Sequence, residues 1–253
     1  MPALSTAAAL TSAILGTLLS PGHALAVHPL TSDDAGTQGT GGVETELSFT
    51  AAGSLNDHAI ELAPGVGLVL GVADPIDLGL AFSYVLAHAP GAGWSGGLHD
   101  PGLSLKWRVA SSNDDCRALA VRFDYEPPQS SDHSVASHNA ALTAIASLEL
   151  GDAELHLNTR GELSRPGQGG VEWTVGGSVM GLLPAARDLL AGVELLASHA
   201  PSSRRTGVEG MLAIVWETTE VSRLSLGAGA TWASDGGPGF IATAGFTLAV
   251  APE

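Results

Sequence analysis

The amino-acid sequence predicts an all-β protein, a closed antiparallel transmembrane β-barrel of about 12 strands with short periplasmic turns and longer extracellular loops. Three observations carry this expectation. Apolar residues alternate with polar or small ones at a period of two through most of the chain, as strands with oil on one side and water on the other require. The chain is 45% hydrophobic and 14% charged, yet holds 33 Gly, a residue that costs about 1 kcal/mol relative to Ala inside a helix. Its most hydrophobic run, GVGLVLGVADPIDLGLAFSYVL (65–86), has Asp74-Pro75 in the middle. A spanning helix needs about 20 uninterrupted apolar residues, and a proline there would remove a hydrogen bond and clash with the preceding turn.

Taken in order, residues 1–26 read as a cleaved export signal: an apolar core from Ala7 to Leu19, a Pro-Gly break, and an Ala24-Leu25-Ala26 ending after which cleavage is expected, although no Lys or Arg precedes the core. Residues 27–42 form a polar, Gly-rich lead with no periodicity. It is either a loose periplasmic tail or a plug tucked into the lumen, where Asp33 and Asp34 would meet inward-facing Arg residues. The barrel occupies 43–253.

The first strand sets Val43, Thr45, Leu47 and Phe49 against Glu44, Glu46 and Ser48. The 65–86 run is a hairpin, with Val66, Leu68 and Leu70 on one arm, a turn at 73–75, then Ile76, Leu78, Leu80, Phe82 and Tyr84 opposed to Asp77, Gly79, Ala81 and Ser83. Next, Leu103, Leu105, Trp107 and Val109 oppose Ser104, Lys106 and Arg108, and Leu119, Val121, Phe123 and Tyr125 oppose Arg122 and Asp124. The strand over 140–150 is mixed, because Ile145 falls with Thr143, Ser147 and Glu149; a Gly151-Asp152 hairpin joins it to Glu154, His156, Asn158 and Arg160 alternating with Leu155 and Leu157. The remaining strands oppose Glu172, Thr174 and Ser178 to Val171, Trp173, Val175 and Val179, Glu194 to Val193 and Leu195, and Glu209 to Val208, Leu212, Ile214 and Trp216. Two more carry Leu224 to Trp232 and Phe240 to Val250.

Connections at 73–75, 110–117, 151–152, 182–188 and 217–222 alternate with generally longer ones at 51–58, 85–102, 126–138, 161–170, 198–207 and 233–238. This is the asymmetry of an outer-membrane barrel with both termini on the periplasmic side. Alternation alone does not say which face is inside, so a soluble barrel or sandwich remains open. The placement of Trp107, Trp173, Trp216, Trp232 and Tyr125 near strand ends on the apolar face, and the Gly, Ala and Ser of the other face, favour the membrane.

The inward parity collects Glu44, Glu46, Asp77, Asp124, Glu149, Glu154, Glu172, Glu194 and Glu209 with Lys106, Arg108, Arg122, Arg160 and His156. Two roles fit such a set: cross-wall ion pairs that satisfy charges in a narrow barrel, or a cation-favouring polar passage. A net charge of −16 without clustered basic residues excludes a nucleic-acid surface. His88, His99, His133, His138 and His199 lack metal-ligand spacing, and the lone Cys116 sits in a polar turn sequence. Neither a metal nor a cofactor is expected. GWSGG (93–97) matches the nucleophile-elbow pattern, but that motif works only at a strand-to-helix turn.

Three stretches carry a resemblance. His28, Pro29, Leu30, Asp33, Asp34, Gly36, Thr37 and Gly39, then Gly71, Asp74, Asp77 and Leu78, then Asp100, Lys106 and Trp107 resemble the pattern of the bacterial outer-membrane family named for the meta-pathway of phenol degradation. The match covers roughly the first third of the mature chain and is architectural beyond it. The resemblance implies a barrel of this size in the bacterial outer membrane, without enzymatic activity, that takes up small, often aromatic or apolar, compounds. Its partners would be outer-membrane lipid, a small-molecule solute and the barrel assembly machinery. Such barrels usually finish on an aromatic residue that the machinery uses, whereas this sequence runs FTLAVAPE, with Phe246 and Phe240 the nearest aromatics. A barrel hydrolase and a closed structural barrel are the alternatives.

Overall fold

The computed structural model describes residues 32–99, 101–112, 116–127, 138–165, 170–219 and 221–250. The export signal, residues 27–31 of the lead, Asp100 and His133 lie outside the described residues.

Strands dominate because the alternating sequence satisfies both the ladder and the two faces at once. They are β1 (Val43–Ser54), β2 (Ile60–Ala73), β3 (Ile76–Ala89), β4 (Gly93–Leu98), β5 (Gly102–Ser111), β6 (Arg117–Glu126), β7 (His138–Leu150), β8 (Ala153–Arg165), β9 (Glu172–Ala186), β10 (Leu189–Ala200), β11 (Arg205–Thr219), β12 (Ser222–Ala233) and β13 (Gly237–Val250). Each pairs antiparallel with its sequence neighbour, apart from β4 and β5, and β1 pairs with β13 from Val43↔Val250 to Ser54↔Gly239, which closes the wall. Closure leaves no strand edge to face lipid, where nothing could hydrogen-bond it.

β4 and β5 are two stretches of one stave. Both pair with β3, at Tyr84↔Leu98 to Ala89↔Gly93 and at Ile76↔Trp107 to Ala81↔Gly102. Across the break the His99 N–H donates to the Ser83 carbonyl at 2.8 Å. The barrel therefore has 12 staves, the number the alternation predicts. GWSGG lies in β4, on an extended strand instead of a strand-to-helix turn.

The connections differ from expectation. Much of 85–102 is strand, and the turns expected at 182–188 and 217–222 are shorter, because β9 runs on to Ala186 and β11 to Thr219. Gly, Pro and His in those segments read as loop signals, but paired backbone continues through them. The Gly151-Asp152 turn is as short as expected, with Gly151 at φ 68°, a conformation that a side chain would strain.

The two faces are sharply different. On β11, Met211 is 2% exposed and its neighbour Leu212 is 70% exposed. Leu47, Phe123, Leu142, Trp173, Leu195 and Leu226 are likewise apolar and uncovered on the outside, a continuous belt that in water would be an aggregation surface. Carboxylates, guanidinium groups and hydroxyls such as Glu44, Asp77, Arg122, Asp124, Thr143 and Ser225 are buried inside. This inversion of an ordinary soluble protein is what a lipid-embedded barrel requires.

Candidate functional site in the barrel lumen

The lead runs inside the barrel. Its C-terminal half is fixed to the short-turn end of the β2–β3 hairpin: Gly41 N–H donates to the Gly71 carbonyl (2.7 Å) and Gly71 N–H to the Gly42 carbonyl (2.9 Å). A Cβ on Gly71 would overlap the Gly39 carbonyl, so this approach requires glycine. Asp74 accepts from the Thr40 hydroxyl (2.6 Å) and backbone N–H (3.1 Å), and the Thr37 hydroxyl donates to the Asp74 carbonyl (2.7 Å). The Thr40 hydrogen bonds, side chain first, hold the Asp74 carboxyl below its ordinary value, and Arg108 adds to the effect. Gln38 donates through its backbone N–H to Asp77 and through its side-chain amide to Glu44.

From Gly36 the lead crosses the lumen. The Asp33 carboxylate meets Lys106 Nζ at 3.3 Å and Arg122 Nη1 at 2.9 Å. Arg122 also holds Asp124 at 2.7 Å, and Arg160 joins Asp124 (3.0 Å) to Glu162 (3.3 Å). Asn158 reads the Asp33 peptide on both sides, accepting its N–H (3.2 Å) and donating to its carbonyl (2.9 Å). Ser32 donates its N–H to Glu194 at 2.6 Å, and its hydroxyl contacts both Glu194 and Ser178.

Ala35 is fully buried against Ala120 and Ile145, which explains the mixed parity of β7: Ile145 faces inward because the lead covers it. The Ala35 N–H donates to Ser147 Oγ (2.7 Å), Ser147 lies 2.8 Å from His156 Nδ1, and His156 Nε2 lies 3.1 Å from Glu154. One tautomer satisfies the whole chain, with the Ser147 hydroxyl donating to Nδ1 and Nε2–H donating to Glu154. Ser-His-acid hydrolases pair serine with Nε2 and the acid with Nδ1, the reverse of this order, and here the lead covers the hydroxyl.

The structure gathers the plug candidates Asp33 and Asp34 and the residues Lys106, Arg122, Asp124 and Arg160 picked out by parity into one network, with Glu44 and Asp77 joined to the lead through Gln38. Glu46 is buried on the same wall as Glu44, and Glu154 with His156 and Glu194 with Ser32 form two further contact points. Arg108 sits at the turn end, donating to the Asp74 carbonyl. Glu172 lies at the other end, accepting from Ser202, and Glu209 is on β11, two residues toward the loop end from Met211.

Sequence parity missed an apolar cluster in the lumen. Met180, Leu182, Met211, Ala213, Val215, Ile241 and Ala52 form a buried apolar cluster inside the barrel, with Leu190 against it. Met180 and Met211 flank Glu194 in register. The signal was present, since Met180 and Leu182 continue the parity of Glu172 and Ser178. Hydrophobic residues on both parities of one strand are hard to sort by alternation. The lumen is thus rich in charge along β3 to β8, while β9 to β13 add an apolar cluster that surrounds the polar Ser178, Glu194, Ser225 and Thr247.

These features define a closed transmembrane-type β-barrel with an internally bound N-terminal segment. Among solved structures, the chain is similar to the COG4313 outer membrane channel from Pseudomonas putida F1, with a TM-score of 0.70 and 13% identity over 86% of this chain and 98% of that one. It is also similar to the NanC porin (0.59, 9%, covering 80% and 98%) and to the CymD monoaromatic hydrocarbon channel (0.53, 7%, covering 93% and 97%). No family model matches the sequence, and no curated protein matches it. At these identities the likeness is one of fold.

Proposed function

We propose that the chain is a bacterial outer-membrane channel that gives small molecules passive passage, with residues 27–42 as the constriction of its lumen and 43–253 as its wall. The observation that carries this reading is the lumen itself: a closed wall with oil outside encloses charged groups and an apolar cluster, together with a segment of the chain that hydrogen bonds hold in place. A solute passing the lead meets the buried methionines and aliphatic residues on one side and hydrogen-bonding groups on the other. That favours compact molecules with an apolar body, the class implied by the sequence resemblance to the phenol meta-pathway family and consistent with a fold shared with a monoaromatic hydrocarbon channel. The short-turn end, where the lead is anchored, is periplasmic in this reading.

The test is swelling of proteoliposomes in iso-osmotic solutions of small uncharged solutes of graded size. Swelling faster than that of protein-free vesicles for the smallest solutes is expected. Equal rates for every solute, with heat-modifiable gel mobility showing a folded barrel, would refute passive passage.

A further inference from the structure

Lys106 and Arg122 are directly opposed on neighbouring strands, with the Arg122 side chain buried and that of Lys106 nearly so. Like charges in that position repel each other, and a buried unpaired cation is costly, so the pair is stable only with an anion between them. Asp33 supplies it, one carboxylate oxygen to each cation. The second carboxylate on Arg122, Asp124, is shared with Arg160 and stays with the wall. Beside the clamp, the Ala35 methyl fills a small apolar site on Ala120, next but one to Arg122 on the same face, and on Ile145, its register partner. Together Asp33 and Ala35 imitate a small organic acid: a carboxylate on two cations and a compact apolar group alongside.

We propose that Lys106 and Arg122 form a binding site for a small monocarboxylate with an apolar body, occupied in the resting barrel by Asp33 of the lead, and that such a solute exchanges with the lead tip. The inference rests on the reading of the lumen as the passage. The lead is divided in a way that permits exchange. Residues 37–42 are held by the Gly71 and Asp74 contacts at the turn end, while 32–35 bind the wall through the Asp33 carboxylate, which a solute carboxylate can replace, and through backbone N–H groups that donate to side chains of the wall. Gly36, exposed between the two parts, is the hinge. Departure of the tip also removes Asp34, the other lead carboxylate near Lys106, so an incoming anion meets less repulsion than the resting charge count suggests.

The experiment is alkylation of a reporter thiol by a hydrophilic maleimide. Ala35→Cys is placed in a Cys116→Ser background, and the full mature barrel is studied in micelles with sodium benzoate, with sodium chloride at equal ionic strength, or with benzyl alcohol. The reporter thiol is expected to be protected in chloride and in benzyl alcohol. Benzoate at ten times its Kd raises the undocked fraction, and so the alkylation rate, about elevenfold while that fraction is small. Lys106→Gln, which removes one of the two cations, is expected to raise the basal rate and abolish the benzoate response; Asp33→Asn, which keeps the shape and removes the competing charge, is expected to raise the basal rate. A protected reporter thiol that responds to benzoate no more than to chloride, or a Lys106→Gln barrel that responds like its parent, overturns the carboxylate site and leaves the channel reading standing. Rapid alkylation of the Ala35→Cys parent under all conditions, in a barrel that gel mobility shows to be folded, overturns the seated lead and the site together.

Discussion

Replacing Gly71 by Ala is expected to release the anchored half of the lead while leaving the wall intact. The added Cβ has no room beside the Gly39 carbonyl, so the segment must retreat. The hydrogen bonds between Gly71 and Gly41 and between Gly71 and Gly42 are then lost. At about 0.5–1.5 kcal/mol net for each of these two bonds, the docked state weakens by about 1–3 kcal/mol. That corresponds to a change of roughly 5- to 140-fold in the docked-to-undocked ratio. The strand itself keeps its pairing of Gly71 with Asp77, and alanine suits a strand at least as well as glycine. The assay is single-channel recording in planar bilayers alongside heat-modifiable gel mobility, with Gly161→Ala as control because a Cβ there meets open space. Longer or more frequent high-conductance openings in Gly71→Ala alone are expected. If Gly71→Ala and the parent give indistinguishable records from equally folded barrels, the contact between the lead and the hairpin does not limit passage, and the reasoning fails.

Three further outcomes follow from the same geometry. Leu212→Arg puts a charge on the outer face at mid-strand and should cost the barrel about 2–4 kcal/mol in lipid, read as a lower denaturant midpoint in bilayers; an unchanged midpoint would count against lipid on that face. Leu182→Ala opens a cavity in the luminal apolar cluster and should cost about 2–5 kcal/mol, so a loss below about 1 kcal/mol in the same titration would mean that the cluster is not packed. Because hydrogen bonds from Thr40 depress Asp74, its contribution to lead anchoring is fully present above the ordinary carboxylate value and is lost as pH falls through the lower value of the docked state. Conductance recorded from neutral pH down to about pH 3, below the ordinary carboxylate range, should show an acid step that Asp74→Asn lacks; an identical profile in that variant would remove Asp74 from the anchor.

The barrel was legible in the sequence because each stave writes its two faces as alternate residues, and charges from Glu44 on β1 to Glu194 on β10 keep to the inner parity except at stave ends such as Arg117 and Arg165. Stave ends were less legible. Segments such as 85–98 carry loop-like residues yet continue the ladder, and backbone pairing does not depend on residue type as strongly as burial does. The site was legible in parts: Lys106 and Arg122 could be picked out by charge and parity and Asp33 by its charge in the lead, but their meeting depends on where the lead enters, which periodicity does not encode. The luminal apolar cluster escaped because Met180 and Met211 look like lipid-facing residues until register places them beside Glu194.

The central claim is that passage is limited by the lead lying within a closed wall. Its most direct test is conductance of the mature chain compared with the same chain lacking residues 27–41, both folded by gel mobility and recorded in the same bilayers. The account predicts discrete steps from the shortened barrel that are larger than those of the intact chain. Equal conductance in the two, or silence in both, would contradict it.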